Sequence, residues 1–404
     1  MKVLYFNQYF STPNLKGPSG IRSYAMSKKL ISRGHKVTMV CGSSGHTGLK
    51  GPYNKGKRRG MVEGIDVIEI DIPYSNHFSF PRRALSFLRF SIRSIAIALK
   101  ENYDLVFATS TPLTAGIPGI FAKIFRRKKF IFEIRDLWPE LPIAMGVIRN
   151  PLIISLLRFL EKLIYFSSDA IICLAPGMLK VLKDKEKLKI SMAMIPNGCD
   201  LDIFDIEKKV SYENLEKNKF YAIFSGSHGL ANGLDKVLDA AKELIELGES
   251  EIRIILIGEG KLKPHLQYRC DQESIDNVIF MDPIAKHELA KLHKNVHVGL
   301  QILSNVESFY FGTSPNKFFD YLASGLPVIC NYPGWVTDLI EENQCGLFSD
   351  PSKPEDLALK LIELKRDKFR LENYGKNSLK LARTSFNRED LSEKWCRFIE
   401  DSCL

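Results

Sequence analysis

The sequence predicts an α/β chain of two doubly wound domains that face a central cleft, and three observations lead there. Short apolar runs ending in Gly, Ser or Asn recur with helical segments between them, the alternation expected of parallel sheets covered by helices. At 404 residues the chain is too long for one typical core. The strand pattern also starts afresh after Pro196-Asn197-Gly198 and the polar stretch Glu207 to Lys219, which places a boundary near residue 203. Residues 1–203 and 204–385 are then the two domains, and 386–404 a terminal helix expected to return to the first. Such a pair opens a cleft at the C-terminal ends of both sets of strands, where doubly wound sheets bind ligands.

Taken in order, the opening MKVLYFNQYF meets Gly and Pro too soon, and carries too many polar groups, for a signal peptide, so it reads as a first strand. Strands follow at Val37 to Cys41, Ile65 to Ile72, Leu105 to Ala108, Phe130 to Ile134 and Ala170 to Leu174. Leu105 to Ala122 is the longest stretch without charge, but two prolines, two glycines and four hydroxyl residues make it a strand, loop and helix start. A membrane span would need about 20 predominantly apolar residues. Phe78 to Ile97 interleaves Phe80, Leu85, Phe87, Leu88 and Phe90 with Arg82, Arg83, Arg89 and Arg93, a basic amphipathic stretch of interfacial type. Ile153 to Phe166 reads first as an ordinary core helix, with a greasy surface as the alternative. The second domain places strands at Tyr221 to Phe224, Ile252 to Ile257, Val278 to Met281, Val298 to Ile302 and Val328 to Cys330. No internal repeat or low-complexity segment interrupts them.

With 45% hydrophobic and 26% charged residues the composition is that of a globular protein, which excludes disordered and fibrous classes. Eight cysteines are scattered without a CxxC pair, so free, buried thiols in a reducing cytoplasm are expected. The net charge of +10 is uneven, with +17 on residues 1–200 and −7 on residues 201–404. A basic first half suits an anionic partner, nucleic acid or the acidic face of a membrane, although a solvated surface is the plain reading of any single run such as Arg126 to Lys129.

The segment most informative about chemistry is GTSPNKFFDYLASGLPV, Gly312 to Val328. Ser314 suits an N-cap, Pro315 the first helical position, and the helix should end near Gly325. Two readings fit. In one, the helix start with Asn316 and Lys317 clamps a phosphate, and Asp320 accepts hydrogen bonds from a ribose diol one turn on. In the other, it is a capped amphipathic helix packed by Phe318, Phe319 and Leu322. Gly17, Ser19 and Gly20 follow the first strand, where small residues let backbone amides approach a pyrophosphate or sugar and Arg22 reaches the same charge; a tight strand-to-helix turn is the alternative. Gly226 and Ser227 repeat the theme in the second domain.

These motifs converge on a family. The chain resembles the retaining GT-B glycosyltransferases of family four, in their bacterial polysaccharide-assembly group of WbuB-like and WcaI-like proteins. The resemblance spans nearly the whole length and rests on GPSGIRSYAMSKKLISRGHKV, IRDLWPE, IPNGCDLDIF, FSGSHGLANGLDKVLDA, LIGEGK and the Gly312 segment with its tail GWVTDLIEENQCGLF. It implies the GT-B fold, two Rossmann-like domains, and a sugar moved from a UDP-sugar to a lipid-linked glycan in surface polysaccharide assembly. The donor site it implies takes in Gly17, Ser19, Gly20, Arg22, Gly226, Ser227, Gly258, Lys261, Ser314, Asn316, Lys317 and Asp320. Relatives often carry Lys-Gly where this chain has Asn232-Gly233, so the charge opposing the leaving diphosphate is expected from Lys317 and Arg22, with Lys261 third.

Asp136, Arg135 and Glu140 end the strand Phe130 to Ile134 on the side implied for catalysis. Asp136 would orient or deprotonate the acceptor hydroxyl and Arg135 hold a phosphate or support the carboxylate; a structural salt bridge is the alternative. The family's Glu-x7-Glu signature keeps Asp320 as its second acid but has Gly312 at the first, which fits a deoxy or amino sugar better than a hexose with a free polar edge.

The resemblance implies no metal and no further cofactor. Asp200-Leu201-Asp202 looks like a metal-binding DxD but belongs to the linker, and His287 and His293 stand six apart, not the four a zinc helix needs. Expected partners are the nucleotide-sugar donor, the lipid-linked acceptor and an anionic membrane surface, with the protein cytoplasmic and peripheral on the inner face. No recognised nucleic-acid module accompanies the basic aromatics. A UDP-sugar 2-epimerase of the same fold and a non-catalytic nucleotide-sugar-binding protein are the rival readings.

Overall fold

The computed structural model describes residues 1–13, 21–43, 45–75, 78–186, 188–205 and 215–403. The first domain holds β1 (Lys2–Phe6), β2 (Lys36–Gly42), β3 (Lys57–Val62), β4 (Ile65–Ile70), β5 (Leu105–Thr109), β6 (Lys129–Ile134), β7 (Ala170–Cys173) and β8 (Ser191–Met194). They form one sheet in the order β3-β4-β2-β1-β5-β6-β7-β8, parallel except for the β3–β4 pair. The second domain holds β9 (Phe220–Ser225), β10 (Ile252–Ile257), β11 (Val278–Met281), β12 (Val298–Gln301), β13 (Val328–Cys330) and β14 (Gly346–Phe348) in an all-parallel sheet ordered β11-β10-β9-β12-β13-β14. The direction of winding reverses between β1 and β5 in one sheet and between β9 and β12 in the other, so each has a crevice at those strand ends.

The central strands are buried on both faces, as helix-covered parallel strands must be. Alternation along β1 sends Val3 and Tyr5 to one side and Leu4 and Phe6 to the other. On the first side lie the helix Arg22–Ser32 and the terminal helix Arg388–Cys403, whose Trp395 sits 4.8 Å from Phe107 between ring centroids. On the second lie the helices Phe80–Lys100, Ile117–Arg126 and Pro151–Ser167. The chain passes between the domains twice at one place: the Cys199 N–H donates to the Phe386 carbonyl at 2.7 Å and the Arg388 N–H to the Cys199 carbonyl at 3.0 Å.

β3, β8 and β14 have no counterpart among the strands expected from sequence. β3 reads KRRGMV and alternates between exposed and half-buried, while β8 and β14 are sheet edges too short to stand out as strands.

The core-helix reading of Ile153 to Phe166 is corrected. The helix Pro151–Ser167 buries Ile164 and Tyr165 against the sheet, yet Leu152 is 81%, Phe159 63% and Phe166 64% exposed. Its apolar residues surround the helix, and among the described residues only one side has a neighbour, so the rest stay bare. Ile124 and Phe125 on the adjoining helix Ile117–Arg126 extend this exposed apolar face. Among the described residues no helix is long and apolar enough to cross a membrane. All eight cysteines are free, and seven are buried.

Candidate active site

The crevice of the second sheet is built from glycine-rich turns and one lysine. After β9 the chain turns through Gly226 and Ser227, and after β10 through Gly258, whose φ of +150° places a hypothetical Cβ 1.8 Å from the Gly226 carbonyl oxygen. Only glycine permits the two loops to touch there. Lys317, near the start of the helix Asn316–Ser324, reaches this floor: its Nζ donates to Asn232 Oδ1 at 3.0 Å and lies 3.8 Å from the centroid of the Phe224 ring. The Asn232 amide nitrogen donates in turn to the Ser227 carbonyl at 2.7 Å, so Asn232 ties the loop to the lysine. Both partners of Lys317 are neutral, and burial pushes its pKa down to about 7. Beside it, Asn316 Oδ1 is buried without a hydrogen-bond partner. A half-buried lysine that meets no counter-charge among the described residues, at a helix start in the switch-point crevice, is suited to an incoming anion.

Other expectations need correction. Ser314 does not cap the helix; Pro315 occupies the cap position, and the Ser314 hydroxyl accepts from the Asn197 N–H at 3.0 Å. Asn197 Nδ2 also donates to the Ser314 carbonyl at 2.6 Å, so Ser314 ties this segment to the first domain's PNG turn. Arg22 is fully buried: Nε and Nη2 donate to Glu133 at 3.0 and 2.8 Å, Nη2 also donates to the Ile195 carbonyl, and Nη1 donates to the Pro196 carbonyl. It is a structural ion pair, unavailable to a donor. Asp320 is closed to a ribose in this arrangement, being 1% exposed with Oδ1 3.0 Å from Lys286 Nζ. Lys286 also pairs with Asp200, which pairs with Arg388, so the linker aspartate serves a buried charge cluster. Within it, burial pushes Asp320 up to about 6, whereas Arg388 and Lys286 overcome the same effect at Asp200 and hold it down at about 2. Gly17, Ser19 and Gly20 lie outside the described residues.

Lys261 is exposed; the lysine that turns inward is Lys263, whose Nζ donates to the Gly258 carbonyl at 3.1 Å and to Asp282 Oδ1 at 2.6 Å. With Glu259, Gln267 and Phe280 it lines a cavity of about 460 Å³ at the ends of β10 and β11. His228 lies under the Gly226 loop with both ring nitrogens unpartnered, and burial pushes its pKa down to about 4. Neither residue carried a sequence signal: Lys263 belongs to no motif, and His228 stands in a loop whose small residues drew the attention.

Across the cleft, the ends of β5 and β6 are laced together. Thr111 Oγ1 donates to Asp136 Oδ2 at 2.7 Å, and the Arg135 N–H to Ser110 Oγ at 2.9 Å. Asp136 and Arg135 are half-buried. Glu140 instead pairs with Arg158 at 3.3 Å on the exposed face of the helix Pro151–Ser167, a surface contact and not part of a catalytic cluster. Between Asp136 and Glu140, Leu137 meets Gly312: a Cβ on Gly312 would lie 2.8 Å from Leu137 Cδ1. The domains therefore approach along the segments that carry Asp136 and Lys317.

Two family models match consecutive parts of the chain. Residues 20–203 match Glycosyltransferase Family 4, and residues 205–381 match Glycosyl transferases group 1. The chain belongs to the GT-B glycosyltransferase family 4 superfamily. The probable glycosyltransferase WbjE of Pseudomonas aeruginosa is 23% identical over 58% of this chain and 60% of its own length. An uncharacterized glycosyltransferase of Methanocaldococcus jannaschii is 23% identical over 56% of this chain and 58% of its own. The matches thus span about three fifths of these curated relatives. Among solved structures, sucrose-phosphate synthase from Thermosynechococcus elongatus superposes with a TM-score of 0.80 at 15% identity, over 99% of this chain and 98% of that one. HepE from Anabaena, in complex with UDP and glucose, gives 0.71 at 15% identity over 99% of both. These likenesses establish the two Rossmann-like domains of the GT-B fold.

Proposed function

We propose that this chain transfers a sugar from UDP to a lipid-linked glycan, with retention at the anomeric carbon and without a bound metal, at the anionic face of a membrane. The observation that carries the donor reading is Lys317, a desolvated lysine with neutral partners at the switch point of the second sheet. The UDP complex of HepE, a protein of the same fold, supports the choice of nucleotide. In the reaction the bond from the anomeric carbon to the donor's phosphate oxygen breaks, and the acceptor oxygen bonds to that carbon on the same face. The acceptor proton passes to the departing phosphate, whose growing charge Lys317 and the adjacent helix start stabilise. Asp136, held by Thr111, orients the acceptor hydroxyl. Leu137 opposite Gly312 favours a deoxy or amino sugar over one that needs an acid there.

The membrane part rests on charge and exposed apolar surface together. Leu152, Leu156, Phe159 and Phe166 stand out from the helix Pro151–Ser167, and Arg149, Arg158 and Lys162 flank them. Such a face is suited to an anionic interface, where burial and electrostatic attraction add.

The test is a thermal-shift panel of nucleotide sugars followed by product analysis with a lipid-linked acceptor. UDP-sugars should raise Tm more than GDP- or ADP-sugars, since a bound donor stabilises the fold in proportion to its affinity. The product should keep the donor's anomeric configuration. Conversion of the UDP-sugar without an acceptor would identify an epimerase instead, and UDP binding without turnover on any acceptor a non-catalytic binder.

A further inference from the structure

A second cavity, of about 360 Å³, lies in the first domain between the residues that follow β4 and the helix Phe80–Lys100. It is separate from the β1/β5 crevice, since β2 stands between β4 and β1 in the sheet. Arg82, Arg89 and Arg93 line it at spacings of seven and four, which puts them on one face of the helix. Each is presented differently. Arg82 is exposed and stacks over the Phe78 ring at 3.8 Å, which occupies its flat face. Arg93 is fixed by donating from Nη1 to the Gly56 carbonyl at 2.9 Å. Arg89 is exposed, and among the described residues no carboxylate pairs with any of the three. Asp71 is the one acid in the lining, and Ile72, Leu85 and Ile92 supply an apolar wall.

Three guanidinium forks beside hydrocarbon suit a ligand with a phosphate head and an apolar chain. A bilayer surface would press on a flat face such as the helix Pro151–Ser167 offers, whereas a concavity of this size admits one headgroup. We propose that this groove holds the diphosphate that joins glycan to lipid in the acceptor, with the first part of the lipid chain lying along Leu85 and Ile92. The proposal rests on the reading of the acceptor as lipid-linked. It assigns the helix Phe80–Lys100 to the recognition of one lipid molecule.

Isothermal titration with farnesyl diphosphate, in the presence of saturating UDP to occupy the donor crevice, tests it. The double variant Arg82→Gln/Arg89→Gln should weaken binding by about tenfold or more, since each arginine removes charge-assisted hydrogen bonds. Leu85→Asp should weaken farnesyl diphosphate while leaving inorganic diphosphate unchanged. Inorganic diphosphate should bind the wild type at least about tenfold more weakly than the lipid form, for want of hydrocarbon to bury. These side chains are at the surface, so melting temperatures should hold, and UDP should bind wild type and variants alike. Equal affinity of the double variant for farnesyl diphosphate would overturn the proposal. So would inorganic diphosphate binding as tightly as the lipid form, the mark of a plain anion patch, or binding only to phosphatidylglycerol vesicles, the mark of a bilayer contact. Farnesyl diphosphate binding retained in a protein that fails to bind UDP would count against the donor reading alone.

Discussion

Lys317 carries two predictions because its partners among the described residues are neutral. Lys317→Ala should weaken UDP-sugar binding by about tenfold or more in calorimetry, the worth of a charge-assisted contact to phosphate, while the melting temperature is retained. Its pKa near 7 adds a pH signature. A bound diphosphate raises that value, so at pH below about 7 the lysine is protonated in both states and affinity is flat. As pH rises above 7, binding must take up a proton, and affinity should fall by up to about tenfold per unit until the bound-state pKa is passed. A UDP-sugar is the right probe, since its diphosphate has no proton to lose in this range. A flat profile across pH 6 to 9, or unaltered affinity in the alanine variant, would remove Lys317 from the donor site. Asp136 makes a different claim. Asp136→Asn keeps the contact with Thr111 and removes the charge, so kcat should fall by about 10² or more with donor affinity nearly unchanged. Near-normal turnover would leave Asp136 as a strand-end brace.

At the scale of elements, the helix Pro151–Ser167 is the part whose role depends most on its surroundings. Its period and composition are those of a helix that could be buried, and only the absence of a neighbour on its outer side reveals a surface. Replacing the exposed Leu156 and Phe159 by Glu should abolish co-sedimentation with anionic vesicles, because it removes apolar contact and adds repulsion at once. The fold should survive, since Ile164 and Tyr165 make the buried contacts. Equal sedimentation of variant and wild type would take this face out of the membrane contact. The helix Asn316–Ser324 shows the reverse case: its existence follows from the sequence, while its cap residue does not. Ser314 has the right chemistry for a cap, but its hydroxyl meets the Asn197 N–H from the other domain, and no local pattern reports that.

Across the whole molecule, the two passages between the domains meet at the cluster of Asp200, Lys286, Asp320 and Arg388. Arg388→Met should cost about 3–5 kcal/mol in denaturant unfolding, because it breaks a buried pair and leaves Asp200 with less compensation. Acid should act through the same residue. Asp200 is held near 2 in the fold against a usual aspartate value near 3.8, so its contribution is present above about 4 and is lost as pH falls toward 2. Unfolding at pH 3 should therefore be markedly easier than at pH 5 in the wild type, and the difference should shrink in Arg388→Met. An unchanged acid response would show that the cluster does not govern the junction. Chelation with EDTA should leave transfer unaffected, as measured by turnover of a UDP-sugar onto the acceptor.

What the sequence determined by itself was whatever depends on local order: strand runs such as Phe130 to Ile134 and Ile252 to Ile257, the alternation that makes the sheets parallel but for the β3–β4 pair, and the glycine turn at Gly226. Those signals are legible because backbone conformation and period are properties of neighbours in the chain. The tertiary structure alone decided which charges are free. Arg22 lies 111 residues from Glu133 in sequence and Asp200 lies 188 from Arg388, so pairing consumed two expected site or motif residues with no sign in their surroundings. Among the described residues Lys317 stayed without a counter-charge for the same reason, and Leu137 met Gly312 only because two domains close on one another. Whether a side chain is spent on the fold or left for a ligand depends on partners far along the chain, and electrostatic pairing acts over ångströms in space, not over positions in sequence.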